Sequence, residues 1–298
     1  MRRRFRSEAS ARMRDVAPRH RETRTKAWSS AGRALNLSTA VLATAVLSDS
    51  AMEHYRGSFR NRAMYAPLGS AALTLAASLS GAADRRERGA RSRDAIYAAA
   101  ALTGLVGTAF HAYNIGKRPS GFSWLNLFYA APIGAPFALV LTGILGRAAE
   151  EVRERARRPR ADTSDLRLAR RLAALGAVGL CGTSAEAALF HFRGAYHNPA
   201  MLLPVTLPPV AAGMLGLAAA TNEPRHGRLA RAFLKLTAAL GLAGFGFHAF
   251  GVSRNMGGWR NWSQNLLSGP PLPAPPSFTG VALAGLAALK LMEEERRR

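Results

Sequence analysis

The chain has 298 residues, 48% of them hydrophobic, with 41 Lys and Arg against 18 Asp and Glu and a formal net charge of +23. Such a charge raises nucleic-acid binding, but that surface needs its cations gathered on one folded face, whereas these stand between and outside apolar runs, so nucleic acid is set aside as a partner. The stretches 95–116, 119–146, 194–222 and 261–289 contain no Asp, Glu, Lys or Arg, and each is long enough to cross about 30 Å of hydrocarbon as a helix, which excludes an ordinary soluble domain.

Residues 1–33 open the chain as a basic arm. Arg2, Arg3, Arg4 and Phe5 superficially suggest a twin-arginine export signal, yet no apolar segment follows until after Arg33, so the arm reads as cytoplasmic, mobile and drawn to anionic membrane lipids. Apolar windows then place helices at 34–53, 64–83, 95–114 and 124–146. A basic linker at 147–171 leads to four more, at 172–191, 200–220, 232–251 and 273–292, and a charged tail at 293–298. The expected fold class is all-α: a polytopic membrane bundle of eight transmembrane helices. Of the 41 basic residues, 33 fall on the side of the termini. The positive-inside rule makes that side the cytoplasm of a bacterial-type inner membrane. Phe122, Trp124, Tyr129, Trp259, Trp262, Tyr55 and Tyr196 gather toward the opposite boundary, as interfacial aromatics do. Cys181, the one cysteine, lies in an apolar run and reads as a buried packing thiol.

Shifting the sequence by 137 residues lays His54-Tyr-Arg-Gly-Ser-Phe-Arg-Asn-Arg-Ala-Met64 over His191-Phe-Arg-Gly-Ala-Tyr-His-Asn-Pro-Ala-Met201. The same shift pairs Asp49 with Glu186, Pro67 with Pro204, and Gly104, Gly107 and His111 with Gly241, Gly244 and His248. Residues 34–146 and 172–292 therefore read as tandem four-helix repeats of parallel orientation, related by a pseudo-twofold axis along the membrane normal.

His54, His111, His191 and His248 all fall near the outer ends of odd-numbered spans. If those spans line the centre of the bundle, four imidazoles converge there as ligands for a metal. The spacing Gly-x-x-Gly-x-x-x-His puts both glycines and the histidine on one helical face, leaving room for a flat ligand such as haem b or for another helix. Close helix packing is the plainer reading of the glycines, and hydrogen bonds to loop carbonyls that of the histidines. Asp49, Glu53 and Glu186 are ionisable groups within or at the ends of spans, with Arg56 and Arg193 as counter-ions. They read as an ion pair closing the bundle or as a clamp for an anion or haem propionate. Asn61 and Asn198, with Met64 and Met201, are expected to shape the turn into the next helix.

No hydrolase elbow, phosphate loop, zinc-protease helix or paired-cysteine motif is present, so independent enzyme chemistry is not expected. The leading expectation is a haem-b-binding electron-transfer or anchor subunit serving a periplasmic redox protein and membrane quinone. A transporter or channel with Asp49 and Glu186 in its pathway is the second, and a ligand-free scaffold the third.

Overall fold

The computed structural model describes residues 2–84, 89–158 and 162–297, with side chains from Glu22 onward. The expected contact of the basic arm with lipid rests mostly on side chains before that point and lies outside the described residues. Ten helices and no strand occur among the described residues: α1 (Arg2–Arg56), α2 (Ala66–Ala83), α3 (Ala90–Gly116), α4 (Trp124–Tyr129), α5 (Gly134–Ala156), α6 (Thr163–Arg193), α7 (Leu203–Thr221), α8 (Pro224–Arg254), α9 (Trp262–Ser268) and α10 (Pro276–Arg296). Six segments are long and apolar enough to cross a membrane: Glu22–Arg56, Arg62–Ala83, Ala90–Gly116, Thr163–Arg193, Pro199–Thr221 and Pro224–Arg254. The protein is thus a multi-pass helical membrane protein.

The fourth and eighth expected segments differ most from the sequence reading. Each becomes a short surface helix, an extended proline-containing break and then a long helix: α4 then α5, and α9 then α10. Proline supplies no N–H and disfavours helical geometry in the residue before it, so Pro132 separates α4 from α5, and Pro270, Pro271, Pro273 and Pro275 separate α9 from α10. Neither α5 nor α10 is among these six segments. Both are nonetheless rich in buried residues, including Leu139, Leu145 and Val152 of α5 and Val281, Ala288 and Leu291 of α10.

The arm is also not separate from the first span. Helix α1 runs unbroken from Arg2, and Arg24, Trp28 and Ala31 are buried. Arg24 donates to Asp165 at 2.7 Å and to the carbonyl oxygens of Arg155 and Arg158, while the Trp28 indole donates to Glu295 at 3.1 Å. These partners lie far away in sequence, where no local pattern announces them.

Helix contacts form two rings. In the first, α1 packs on α2 and α5, and α3 packs on the same two, so α1 and α3 face each other along a diagonal. In the second, α6 and α8 stand diagonally between α7 and α10. The rings meet where α1 lies on α10 and α5 on α6. Each contact is a leucine over a glycine: a Cβ on Gly280 would stand 2.7 Å from Leu42 Cγ, and one on Gly179 would stand 2.9 Å from Leu141 Cδ2. Lipid tails are as apolar as leucine, so close fitting of this kind, rather than apolar burial, holds helices together in a membrane.

The two ring interiors differ in polarity. Asn36, Thr39, Thr74, Ser78, Tyr97 and Thr142 are fully buried in the first ring, and Tyr97 Oη donates to Asn36 Oδ1 at 2.8 Å. At the end away from the histidines Arg93 holds Glu150 through two hydrogen bonds of 3.0 and 2.8 Å and Asp84 through one of 3.1 Å. The 137-residue shift carries Asn36, Ser78, Arg93 and Tyr97 onto Ala173, Leu215, Ala230 and Leu234. Cys181, expected to be buried, is exposed on the side of α6, because the packed face of that helix is carried by residues such as Gly176, Gly179, Leu180 and Ser184.

Candidate functional site

The repeated outer motif folds into the same turn twice. Helix α1 ends at Arg56, and Ser58 and Phe59 take positive φ values of 55° and 45°; Ala195 and Tyr196 do so after α6, at 53° and 46°. The side chain of Asn61 then accepts from the Ala63 N–H, and that of Asn198 from the Ala200 N–H, each at 2.9 Å. The Met64 and Met201 methyl groups lie over Gly57 and Gly194, where a Cβ would stand 3.0 Å away. Asn61, Met64, Asn198 and Met201 therefore shape the entry to the next helix, as their recurrence suggested.

All four histidines use the same ring nitrogen in the same way. His54 Nδ1 meets the Met64 carbonyl oxygen at 2.7 Å and His191 Nδ1 meets that of Met201 at 2.8 Å. His248 Nδ1 meets the Pro271 carbonyl oxygen at 2.7 Å, and His111 Nδ1 bonds to that of Pro132. A carbonyl oxygen only accepts, so each Nδ1 carries the proton and donates it. In the neutral ring each Nε2 then keeps its lone pair, and no hydrogen bond to any of the four occurs among the described residues. Metal-binding histidines are oriented through the same second nitrogen.

The four imidazoles do not converge on one point. His54 and His111 are close enough for their charges to interact, as are His191 and His248, and no group of three or more His, Cys, Asp or Glu able to hold a metal occurs among the described residues. This follows from ring geometry: α1 and α3 are diagonal partners, as are α6 and α8, while α3 and α8 stand on opposite sides of the molecule. The expectation of one central quartet is thereby corrected to two pairs, each at the end of a ring where the Asn61 or Asn198 turn lies and each half-buried.

The glycine faces are filled. A Cβ on Gly104 would stand 2.6 Å from the Val140 nitrogen and 2.7 Å from the Pro136 oxygen; one on Gly241 would stand 2.8 Å from both the Pro275 oxygen and the Thr279 nitrogen. Gly107 and Gly244 meet the rings of Pro136 and Pro275 in the same manner. Backbone of α5 and α10 occupies the room expected for a flat ligand along these glycine faces.

The other candidates fall around these mouths. Arg56 pairs with Glu53 on the same helix. Arg193 reaches the other ring, donating to the Phe128 carbonyl oxygen at 3.0 Å and lying 4.7 Å above the Tyr129 ring, while Phe128 stacks on Phe192 at 5.5 Å. Arg193 is therefore engaged away from Glu186, whereas Arg56 is shared between Glu53 and the charge of Asp49. The Asp49 and Glu186 carboxylates lie close enough to each other for their charges to interact.

Sequence reading missed Asn126 and Asn265, whose amide groups each donate to two loop carbonyls: Pro119 and Gly121 for Asn126, Met256 and Gly258 for Asn265. They lie 139 residues apart, as do Pro132 and Pro271, so a two-residue insertion in the second outer loop hid the match from a fixed shift of 137. Among known proteins, no family model, curated sequence or solved structure matches this chain.

Proposed function

We propose that the protein spans a bacterial-type inner membrane eight times, as two tandem four-helix units with both termini inside, and holds a haem b at the outer mouth of each unit. His54 and His111 ligate the first haem, His191 and His248 the second. Electrons pass between a redox protein at the outer face and membrane quinone. The observation that carries this reading is the shared histidine geometry: four imidazoles fixed through Nδ1, on diagonal helices, each with Nε2 unengaged by any protein group described.

Several features support the duplicated, eight-span part of the reading. Helices α5 and α10 have 23 and 21 residues, about 34 and 31 Å at 1.5 Å per residue, enough to cross hydrocarbon. The charge that α5 carries at Glu150 is sheltered by its buried pair with Arg93. The matched turns, the matched histidine bonds and the reciprocal contacts of Leu42 with Gly280 and Leu141 with Gly179 all follow one pseudo-twofold relation. Bound haem would supply one-electron chemistry; the protein fixes the imidazoles, sets their tautomer and excludes water from the inner side of each site.

The histidine bonds also favour a second reading, a ligand-free scaffold in which each imidazole only latches the loop after it. The two separate under haemin titration of protein made in haem-poor cells. The haem reading requires two haems per chain, one after His54→Ala or His191→Ala, and none when both are changed. A latch gives no saturable haem binding in any of these proteins.

A further inference from the structure

The end of the molecule that carries the four histidines is strongly and unevenly charged. Its loops hold eight Lys and Arg, whereas residues 54–83, 95–149, 187–222 and 224–292 contain no Asp or Glu. The carboxylate nearest these loops, Glu53, is already paired with Arg56. At the opposite end, 33 basic residues stand with 15 acidic ones, the chain's 18 less Asp49, Glu53 and Glu186. Many of those pair, as Arg24 does with Asp165, Arg93 with Glu150 and Arg231 with Glu293. The unmatched cations flank the histidines. Arg60 and Arg62 lie on the turn from α1 to α2, and Lys117 and Arg118 follow α3, so two stand at each diagonal corner of the first ring. In the second ring Arg193 ends α6, Arg254 ends α8 and Arg260 lies just beyond. All are exposed, and the side chains of Arg60, Arg62 and Arg260 make no hydrogen bond or ion pair among the described residues.

Such a surface calls for an anionic partner, and its layout says which kind. A small anion is held by donors that converge in a concave pocket, whereas these cations are exposed and spread over both ring mouths, which suits a broad contact. Lipid headgroups meet a membrane protein around its perimeter. At this end the exposed Trp124 and Leu125 of α4 and Trp262 of α9 have the character of interfacial anchors, and neither short helix carries a Lys or Arg. In the orientation proposed above this is the outer face, where the positive-inside rule works against cations. We propose that the histidine end is a docking surface for a soluble protein with an acidic face, whose carboxylates meet the cations of both rings. The proposal deepens the haem reading by giving its redox partner a charge, and it rests on that reading only for the partner's redox role. Complementary charge of this kind speeds encounter and weakens as salt is added.

The test measures binding by surface plasmon resonance to the full-length protein in nanodiscs of zwitterionic lipid, at low and high salt. The probes are a strongly acidic ferredoxin and a strongly basic cytochrome c. One variant combines Arg60→Gln, Arg62→Gln, Lys117→Gln and Arg260→Gln; the control combines Arg91→Gln, Arg167→Gln, Arg171→Gln and Arg225→Gln at the opposite end, so both lose the same net charge. The wild type should bind the ferredoxin but not the cytochrome, and more weakly at high salt. The histidine-end variant should raise the ferredoxin Kd at least about tenfold and the control less than about twofold. No ferredoxin binding by the wild type, or equal or greater weakening in the control, overturns the proposal. So does a histidine-end variant that binds the ferredoxin normally but retains less phosphatidylglycerol than the control on purification, since the cations then serve lipid. Should either variant fail to fold, Arg60→Gln with Arg62→Gln and Arg167→Gln with Arg171→Gln make the same comparison. Binding is read without haem, so a missing Soret band ends the haem reading and leaves this result standing, and lost docking leaves the haem spectra intact.

Discussion

The sharpest prediction about the fold concerns Arg93. Its guanidinium makes three charge-assisted bonds, at 2.8 and 3.0 Å to Glu150 and 3.1 Å to Asp84, and the side chains of Arg93 and Glu150 are 4% and 8% exposed. Changing Arg93 to Ala leaves the Glu150 carboxylate buried without this partner, a loss that costs about 3–5 kcal/mol when one half of a buried ion pair is removed. The second ring shows the alternative: its matching positions are Ala230 and, through the 139-residue relation, Leu289, both buried and apolar. The double variant Arg93→Ala, Glu150→Leu gives the first ring the second ring's residues. It recovers most of the loss, leaving about 1–2 kcal/mol for the altered packing and the lost Asp84 bond. Reversible unfolding of the four proteins in mixed micelles closes a double-mutant cycle, and the two changes should be non-additive by at least about 2 kcal/mol. A single Arg93→Ala variant that loses less than about 1 kcal/mol, or a double variant that loses the sum of the two singles, refutes the reasoning.

Three further predictions follow from the packing and the topology. A Cβ at Gly146 would clash with three atoms of the Tyr97 ring, whereas at Gly285 it meets the flexible ends of Leu215 and Leu234; Gly146→Ala should therefore cost about 1–3 kcal/mol and Gly285→Ala clearly less, as read by thermal unfolding. The Asp162 carboxylate that caps α6 is held below its ordinary range by hydrogen bonds from Ser164, so the support it gives the first turn is complete above about pH 4 and is lost as pH falls through its lowered value. Hydrogen exchange at residues 162–166 should show that loss in the wild type and not in Asp162→Asn. A fluorescent protein fused after Arg298 should fluoresce and an alkaline phosphatase fused there should be inactive; the opposite pattern places the C-terminus outside.

Most of the helical plan was legible because span length and charge segregation are local properties. The four repeated histidines and the Asn61 and Asn198 turns could be read from two blocks that one shift of 137 residues superimposes. What escaped was set by long-range partners. Nothing near Arg24 or Trp28 in the sequence reveals Asp165 or Glu295, so sequence alone gives a mobile arm where Arg24, Trp28 and Ala31 are in fact buried. The histidine pairing escaped for a similar reason: sequence gives the depth of a residue along a helix but not which helices are diagonal neighbours. The glycines illustrate the same gap, since Gly104 and Gly241 signal close approach without saying whether haem or α5 and α10 make it. Pro132 falls inside an expected helix and Pro271 just before one, and nothing local in the sequence reveals the carbonyl oxygen that each gives to a histidine.

The central claim is that the two histidine pairs are haem ligands and not loop latches alone. It is tested most directly by optical and electron paramagnetic resonance spectra of the protein purified from haem-replete membranes. The account predicts a Soret band with the low-spin ferric signal of bis-imidazole haem, halved in intensity by His111→Ala or His248→Ala and abolished when both are changed. Folded wild-type protein that shows neither a Soret band nor a low-spin haem signal contradicts it.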